Sequence, residues 1–226
     1  MIEVFGRKVF TTLEELVDPA HTALVLIDIQ NDFCSEGGLM HELGKDLGMM
    51  RRMLPTVRRV LDAAREIGVT PIYIQNSWLP EHKAVSGSWL RFMIARYGMD
   101  PKRGCTVEGS WGGEIVPEVA PRPGEIVVKK WRSSAFVGTN LDMVLRCNEI
   151  KTVVITGDVT QGCVDSTSRD AAFYDYYVVV LEDAVATYHD DLHEASLKVL
   201  RTRVDVATSE EVLKVWAAKM AGVATR

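Results

Sequence analysis

Six short apolar runs recur along the chain, and segments with helical spacing of apolar residues separate or follow them. The runs cover residues 23–27, 71–74, 126–128, 152–156, 177–181 and, more weakly, 204–207. Continuous apolar runs of this length are typical of strands buried on both faces of a parallel sheet. The helical segments cover residues 46–67, 139–147, 164–173, 192–200 and 209–220. This alternation predicts a doubly wound α/β fold, with a mostly parallel six-stranded sheet and helices on both faces.

One long stretch, residues 78–123, follows neither pattern and is rich in glycine and proline. An insertion of this kind beside a sheet usually shapes a binding site. The chain shows no internal repeat, low-complexity tract or linker, so we expect residues 1–226 to form a single domain.

Composition narrows the class of protein. The chain has 226 residues, of which 47% are hydrophobic and 25% charged, as in an ordinary soluble globular protein. Its net charge is −5 and its basic residues are scattered, which argues against nucleic acid as a partner. No segment has the apolar length of a signal peptide or a membrane span, so we expect a cytoplasmic protein without a membrane partner. Its four cysteines form no CxxC pair and no Cys/His metal pattern.

Charged residues close two of the predicted strands. Asp28 follows the first strand, and the third ends in Lys129-Lys130. Burial of either charge is costly without a partner, so an Asp28–lysine ion pair is one interpretation. In the other, Asp28 caps a turn and a lysine extends to solvent. The pattern alone does not say which lysine turns inward.

Cys163 stands where the fourth strand passes through a glycine-flanked turn into a helix. The helix N-terminus would lower the pKa of its thiol and offer N–H groups to an oxyanion, which predicts a nucleophile. The alternative is a buried structural cysteine. Cys34 is expected beside this site, Cys105 in the insertion, and Cys147 packed at a helix end.

Three segments in order carry a family resemblance: 23–33 (ALVLIDIQNDF), 130–141 (KWRSSAFVGTNL) and 156–170 (TGDVTQGCVDSTSRD). Together they resemble the isochorismatase-like cysteine hydrolases, which include nicotinamidase, N-carbamoylsarcosine amidase and ureidoacrylate amidohydrolase. The resemblance implies a Rossmann-like three-layer fold and an Asp28-Lys130-Cys163 triad. It also implies a non-proline cis peptide near Val159-Thr160, and homo-oligomers, since relatives are commonly dimers or tetramers.

Within that superfamily the chain is most similar to the ureidoacrylate and carbamoyl branch, because residues 75–80 read QNSWLP. The implied activity is hydrolysis of the C–N bond of a small amide, ureido or carbamoyl compound, releasing ammonia through an acyl-enzyme. The expected substrate contacts are Asn76, Gln30, Trp78, Phe33, Trp111, Val159 and Thr160, with Gly162 and Cys163 forming the oxyanion hole.

Two positions depart from related patterns. Ser133 stands where a ureidoacrylate enzyme is expected to carry an aromatic residue. Nicotinamidases have an Asp-x-His metal cluster in the region where this chain has His82 alone, so neither a metal nor another cofactor is expected.

Three alternatives stay open at this level. Cys163 could act with a histidine (His82, His189 or His193), the commonest general base. The protein could instead bind a nucleotide without catalysis, although its first strand-to-helix turn has no GxGxxG motif or P-loop. A hydrolase of the same fold could also act on isochorismate or another non-amide substrate, a reaction that needs no cysteine nucleophile.

Overall fold

The computed structural model describes residues 1–100 and 103–224. Two short strands, β1 (Ile2–Val4) and β2 (Arg7–Val9), form an antiparallel hairpin that the sequence patterns do not predict. The main sheet contains β3 (Thr22–Ile27), β4 (Thr70–Asn76), β5 (Ile126–Lys130), β6 (Thr152–Asp158), β7 (Tyr177–Ala186) and β8 (Asp205–Ala207). Their order is β5-β4-β3-β6-β7-β8, and every neighbouring pair is parallel. The six predicted strands are therefore confirmed, in a sheet that is wholly parallel.

Helices connect and flank these strands. In chain order they are α1 (Leu13–Leu16), α2 (Asn31–Cys34), α3 (Leu39–Glu42), α4 (Gly48–Ile67), α5 (Gly87–Tyr97), α6 (Leu141–Cys147), α7 (Asp165–Phe173), α8 (Asp190–Leu200) and α9 (Ser209–Ala224). The five predicted helices correspond to α4, α6, α7, α8 and α9, with ends displaced by a few residues. The sequence patterns miss α5, which lies inside the segment predicted to be irregular.

The central strand β3 shows why the domain has three layers. Its side chains alternate between the two faces of the sheet because successive residues of a strand point in opposite directions. Leu24 and Leu26 pack in one apolar cluster with α4 and α9. Ala23, Val25 and Ile27 pack in the other with α6, α7 and α8. Both faces are covered, so the strand is apolar from Ala23 to Ile27.

Helix α4 ends where the sequence predicts. Gly68 follows its last residue with φ +86°, the left-handed conformation that glycine adopts without a steric cost. The chain then enters β4 directly. Among residues 1–100 and 103–224, no helix is both long enough and apolar enough to cross a bilayer.

The insertion is attached to helix α2, which follows β3, through Asp32. This buried carboxylate accepts hydrogen bonds from the backbone N–H groups of Leu39 (3.0 Å) and Thr106 (2.7 Å). It also forms an ion pair with Arg103 at 3.0 Å. A Cβ atom at Gly112 would lie 2.3 Å from Asp32 Oδ1, so only glycine lets the chain pass here. One carboxylate therefore holds three parts of the chain beside the strand ends.

Candidate active site

A cavity lies at the carboxyl ends of β3 and β6, where the strand order reverses. Open α/β sheets usually bind ligands at this point. The cavity has an empty volume of about 560 Å³ including its open mouth, and we call it the switch-point pocket. It is lined by Asp28, Phe33, Met40, Asn76, Trp78, Trp89, Phe92, Met93, Cys105, Lys130, Arg132, Ser133, Asp158, Val159, Gly162, Cys163 and Tyr188.

The three residues of the expected triad meet in this pocket. Lys130 Nζ lies 2.7 Å from Asp28 Oδ2 and 3.2 Å from Cys163 Sγ. Its third contact is the carbonyl oxygen of Arg132, at 3.0 Å. Lys129 points away, to an ion pair with Glu108 on the outside of the sheet. The structure therefore turns Lys130 inward, the lysine that the resemblance selects.

Strand register explains how residues from separated strands come together. Asp28 follows β3 with φ +54°, and its N–H donates to the carbonyl of Ile74 in β4. Lys130 pairs with Asn76, the last residue of β4. Strand β4 thus lies between the two charged residues, and the long lysine side chain reaches across its end. Ion pairing of two buried charges offsets part of their desolvation cost.

Cys163 reaches the pocket from the turn between β6 and α7. The turn, Thr160–Val164, is a single wide helical turn, and α7 begins only at Asp165. The peptide bond between Asp158 and Val159 is cis. The expectation of a non-proline cis peptide near Val159-Thr160 is confirmed, one bond earlier in the chain.

Gly157 brings this turn close to β3. Its φ is +112°, and a Cβ atom there would lie 2.1 Å from the carbonyl oxygen of Ile27. Any side chain would therefore separate β6 from β3 at the point where both strands deliver residues to the pocket. The glycine before the turn is a condition for the geometry of the site.

Burial and charge together set the protonation of the three groups. Burial raises the pKa of Asp28, although the charge of Lys130 opposes it. Burial also raises the pKa of the Cys163 thiol, and the negative charge of Asp28 adds to the effect. Burial would lower the pKa of Lys130, but the charge of Asp28, followed by that of Cys163, reverses this and raises it.

The expectation of a lowered thiol pKa at Cys163 is therefore wrong for the free protein. The sulfur lies in the turn before α7, not in its first turn, and a carboxylate is beside it. A neutral thiol next to a carboxylate is the resting arrangement that these shifts favour, because two adjacent negative charges in a buried site repel each other.

Asp158 adds a second buried carboxyl to the pocket, which the sequence analysis missed. Its Oδ2 accepts a hydrogen bond from the Cys34 thiol at 3.1 Å. Burial raises the pKa of Asp158 well above its usual range, and the charge of Asp28 raises it further. The signal was present in the sequence, since Asp158 closes an apolar strand just as Asp28 does.

Four of the expected substrate contacts line the switch-point pocket: Asn76, Trp78, Phe33 and Val159. The Asn76 Nδ2 donates to Thr106 Oγ1 at 2.8 Å, which orients the amide. Trp78 is buried among apolar residues of the insertion. These four residues lie where a ligand of Cys163 would contact them.

Three other expected contacts do not line the pocket, and their assignment as substrate contacts is corrected. Gln30 is buried, and its Nε2 donates to the carbonyls of Asn76 (2.9 Å) and Gly113 (2.7 Å), so it braces the backbone. Trp111 is 50% exposed because its turn directs the indole to solvent. Thr160 is buried, and its hydroxyl lies 2.9 Å from His193 Nδ1.

The expected oxyanion hole is also changed. Gly162 lines the pocket, but its N–H donates to the carbonyl of Val159 at 2.9 Å, which closes the turn. That donor is occupied in this structure, so its assignment to the oxyanion is corrected. The N–H of Cys163, the other expected donor, stays a prediction for this role.

The remaining wall of the pocket comes from residues that the sequence analysis did not single out. Helix α5 contributes Trp89, Phe92 and Met93, at the spacing that places side chains on one face of a helix. Met40, Cys105 and Tyr188 complete the apolar lining. This periodicity inside the insertion was the available signal for α5.

No histidine is among the described residues that line the pocket. His82 packs edge-on against Trp78, with ring centroids 5.6 Å apart. His193 bonds the turn before Cys163 through Thr160. Over residues 1–100 and 103–224, no cluster of three or more His, Cys, Asp or Glu side chains is arranged to hold a metal ion. The geometry thus gives no support to a Cys–His pair.

Comparison with known proteins agrees with the fold. A ureidoacrylate amidohydrolase RutB from Agrobacterium fabrum is 37% identical over 180 residues, covering 76% of this chain and 77% of that protein. The crystal structure of N-carbamoylsarcosine amidase from Thermoplasma acidophilum superposes with a TM-score of 0.65 at 29% identity, covering 84% of this chain and 96% of that one.

Nicotinamidase/pyrazinamidase from Bacillus subtilis superposes with a TM-score of 0.67 at 25% identity, covering 83% of this chain and 99% of that one. The isochorismatase domain matches residues 22–211, from the start of β3 into α9. The chain therefore belongs to the isochorismatase family and is a hydrolase of that family.

Proposed function

We propose that the protein is a cysteine-dependent amidohydrolase that cleaves the C–N bond of a small ureido or carbamoyl compound and releases ammonia. One observation carries the proposal: Lys130 Nζ contacts both Asp28 Oδ2 (2.7 Å) and Cys163 Sγ (3.2 Å) in the switch-point pocket. A nucleophile, a proton acceptor and a cation that orients both are the components of covalent acyl transfer.

The first step transfers the proton of the Cys163 thiol to Asp28. The raised pKa of Asp28 favours this transfer, since the buried carboxylate is a stronger base than an exposed one. The raised pKa of the Cys163 thiol opposes it and keeps the sulfur neutral at rest, so the nucleophile needs Asp28 as its proton acceptor. Lys130 stays charged and stabilises whichever of the two partners is negative. The thiolate then attacks the carbonyl carbon of the substrate.

The tetrahedral intermediate needs donors for its negative oxygen. In the proposal the backbone N–H of Cys163 is one donor, and a single donor of this kind contributes about 3–4 kcal/mol. Asp28 returns its proton to the departing nitrogen, which leaves as ammonia. Water then attacks the thioester between Cys163 and the acyl group, and the enzyme is regenerated.

The ureido or carbamoyl class is supported by the residues that line the pocket with Cys163. The Nδ2 of Asn76 is engaged with Thr106, which leaves the side-chain oxygen of Asn76 to accept from a ureido N–H. Phe33 and Trp78 add aromatic surface to the same pocket. The names of the related ureidoacrylate amidohydrolase and N-carbamoylsarcosine amidase support the same class.

The experiment is an ammonia-release screen over ureido, carbamoyl and carboxamide compounds. Consumption of isochorismate, a non-amide substrate that releases no ammonia, is measured in parallel. The Cys163→Ala protein serves as the blank. Cys147→Ala is the matched control, because Cys147 is exposed and lies outside the pocket, whereas the sequence analysis expected it to pack.

We expect ammonia release that is lost in Cys163→Ala and kept in Cys147→Ala. Ammonia release that persists in Cys163→Ala would exclude a cysteine nucleophile. Turnover of isochorismate alone would favour the non-amide hydrolase.

A further inference from the structure

The charges around the switch-point pocket do not balance. Asp28 and Lys130 pair with each other. Asp158 accepts a hydrogen bond from the Cys34 thiol. Burial raises the pKa of Asp158, which favours the neutral form of its carboxyl group. Arg132 is the remaining charged residue in the described lining, and it forms no ion pair with a carboxylate of the described residues. The pocket thus carries one unpaired positive charge.

The Arg132 guanidinium is held in position by the pocket wall. Its Nη1 donates to the carbonyls of Trp131 (2.5 Å) and Ala84 (3.4 Å). Its central carbon lies 5.5 Å from the centroid of the Trp89 ring, in a cation–π contact. These contacts occupy one nitrogen and one flat face, so the other N–H groups face no described protein acceptor. A guanidinium that is already held in position loses little further conformational freedom when it binds a ligand, which favours binding.

The main chain of Arg132 joins this cation to the site of chemistry. Its carbonyl oxygen accepts from Lys130 Nζ at 3.0 Å, while its side chain extends to α5. Next to it, Ser133 lines the pocket with a small side chain, and Arg132 is itself partly exposed. A ligand held with its carbonyl at Cys163 therefore has Arg132 further along the same cavity.

We propose that Arg132 binds a carboxylate of the substrate, so that the enzyme selects ureido or carbamoyl acids over their uncharged analogues. This inference rests on the proposed function and names the substrate class for it. A guanidinium can form two parallel hydrogen bonds with a carboxylate, a geometry that an ammonium group does not offer. The apolar side chains that line the same cavity would contact the body of such a substrate.

Binding to a catalytically inactive protein tests the inference apart from the reaction. Cys163→Ala protein is titrated calorimetrically with 3-ureidoacrylate and with its methyl ester, which lacks the negative charge and carries one additional methyl group. The titrations are repeated with two double variants, in which Arg132→Met or Arg132→Lys is combined with Cys163→Ala. Arg91→Met is the matched control, since Arg91 lies on α5 beside Trp89 but is exposed and outside the pocket.

We expect the acid to bind more tightly than the ester, and Arg132→Met to weaken acid binding by about 10- to 100-fold with little effect on the ester. The affinity of the Arg132→Lys variant for the acid should lie between those of the Cys163→Ala parent and the Arg132→Met variant. The Arg91→Met variant should bind the acid as tightly as the parent. Equal binding of acid and ester, or equal weakening of both by Arg132→Met, overturns the inference, because the latter is the result of a structural role.

The active protein separates this inference from the proposed function. Ammonia release from the ester, with Arg132→Met altering KM for the acid alone, supports both. Ammonia release at equal efficiency from acid and ester supports the proposed function and overturns the carboxylate inference. Tight, Arg132-dependent binding of the acid without ammonia release from any compound supports the anion site and overturns the proposed function.

Discussion

Lys130 Nζ and Asp28 Oδ2 lie 2.7 Å apart, and the two side chains are 0% and 1% exposed. Taking both charges out of water costs several kcal/mol for each ion, which their attraction only partly returns. An apolar pair would pack in this place at lower cost. The ion pair is therefore better explained by its contact with Cys163 than by the stability of the fold.

Loss of one partner should leave the other charge buried and uncompensated. We expect Lys130→Met to lower the free energy of unfolding by about 3–5 kcal/mol, as measured by urea denaturation. The double variant Lys130→Met/Asp28→Leu should recover a large part of this loss, because neither charge remains. Additive destabilisation in the double variant would contradict the pairing.

The choice of proton acceptor can be tested with an isosteric change. We expect Asp28→Asn to reduce kcat by about 10²- to 10⁴-fold, because the amide cannot accept the thiol proton. His82→Ala should keep its activity, since His82 is outside the pocket lining. Steady-state ammonia release measures both. An active Asp28→Asn protein and an inactive His82→Ala protein would identify a Cys–His hydrolase instead.

The pH dependence of activity follows from the raised pKa of Asp28. Activity requires the ionised carboxylate, so kcat/KM should increase as pH rises through the pKa of Asp28 in the free enzyme. Burial raises this pKa, so the midpoint of the acidic limb should lie above about 3.9, the ordinary value for aspartate. A kcat/KM profile from pH 3 to 9 measures it. A midpoint at or below the ordinary value would contradict the assignment.

Asp158 should make the fold less stable as pH rises. Its pKa is raised in the folded state, so the folded protein retains a proton that the unfolded chain loses above about pH 3.9. Asp158→Asn removes the free-energy cost of keeping residue 158 protonated at neutral pH. The side-chain oxygen of the asparagine can still accept a hydrogen bond from Cys34. We expect a higher Tm at pH 7, by about 2–4 °C for each kcal/mol gained, and no gain at pH 3.

The matched control for that measurement is Asp205→Asn, because Asp205 is exposed on the edge strand β8. Its Tm should follow the wild-type protein at both pH values. A gain for Asp158→Asn that is the same at pH 3 and pH 7 would show that ionisation is not its cause.

Loss of the Asp32 carboxylate should loosen the insertion more than the sheet. Asp32→Ala removes the acceptor of two backbone N–H groups and the partner of Arg103, and each unsatisfied buried group costs about 1–3 kcal/mol. We expect faster hydrogen exchange around Thr106 and a larger effect on KM than on kcat, because the insertion forms the pocket wall. Unchanged exchange in this segment would contradict the role.

The sequence by itself determined the layered sheet. Continuous apolar runs and helical spacing are local patterns, and burial on both faces of a parallel sheet requires them of every strand. The same local rules located Asp28 and Cys163 at strand ends. The choice of Lys130 over Lys129 needed more than periodicity, and it came from the resemblance.

Only the tertiary structure decided which polar groups share the pocket. Gln30 and Trp111 resembled ligand contacts in the sequence, but one braces the backbone and the other faces solvent. Arg132 and Asp158 gave weak local signals and yet line the cavity. The tertiary structure also decided the protonation of Cys163, because its pKa depends on burial and on the carboxylate of Asp28, which is far away in sequence. Contacts between distant segments set these properties, and no local pattern encodes them.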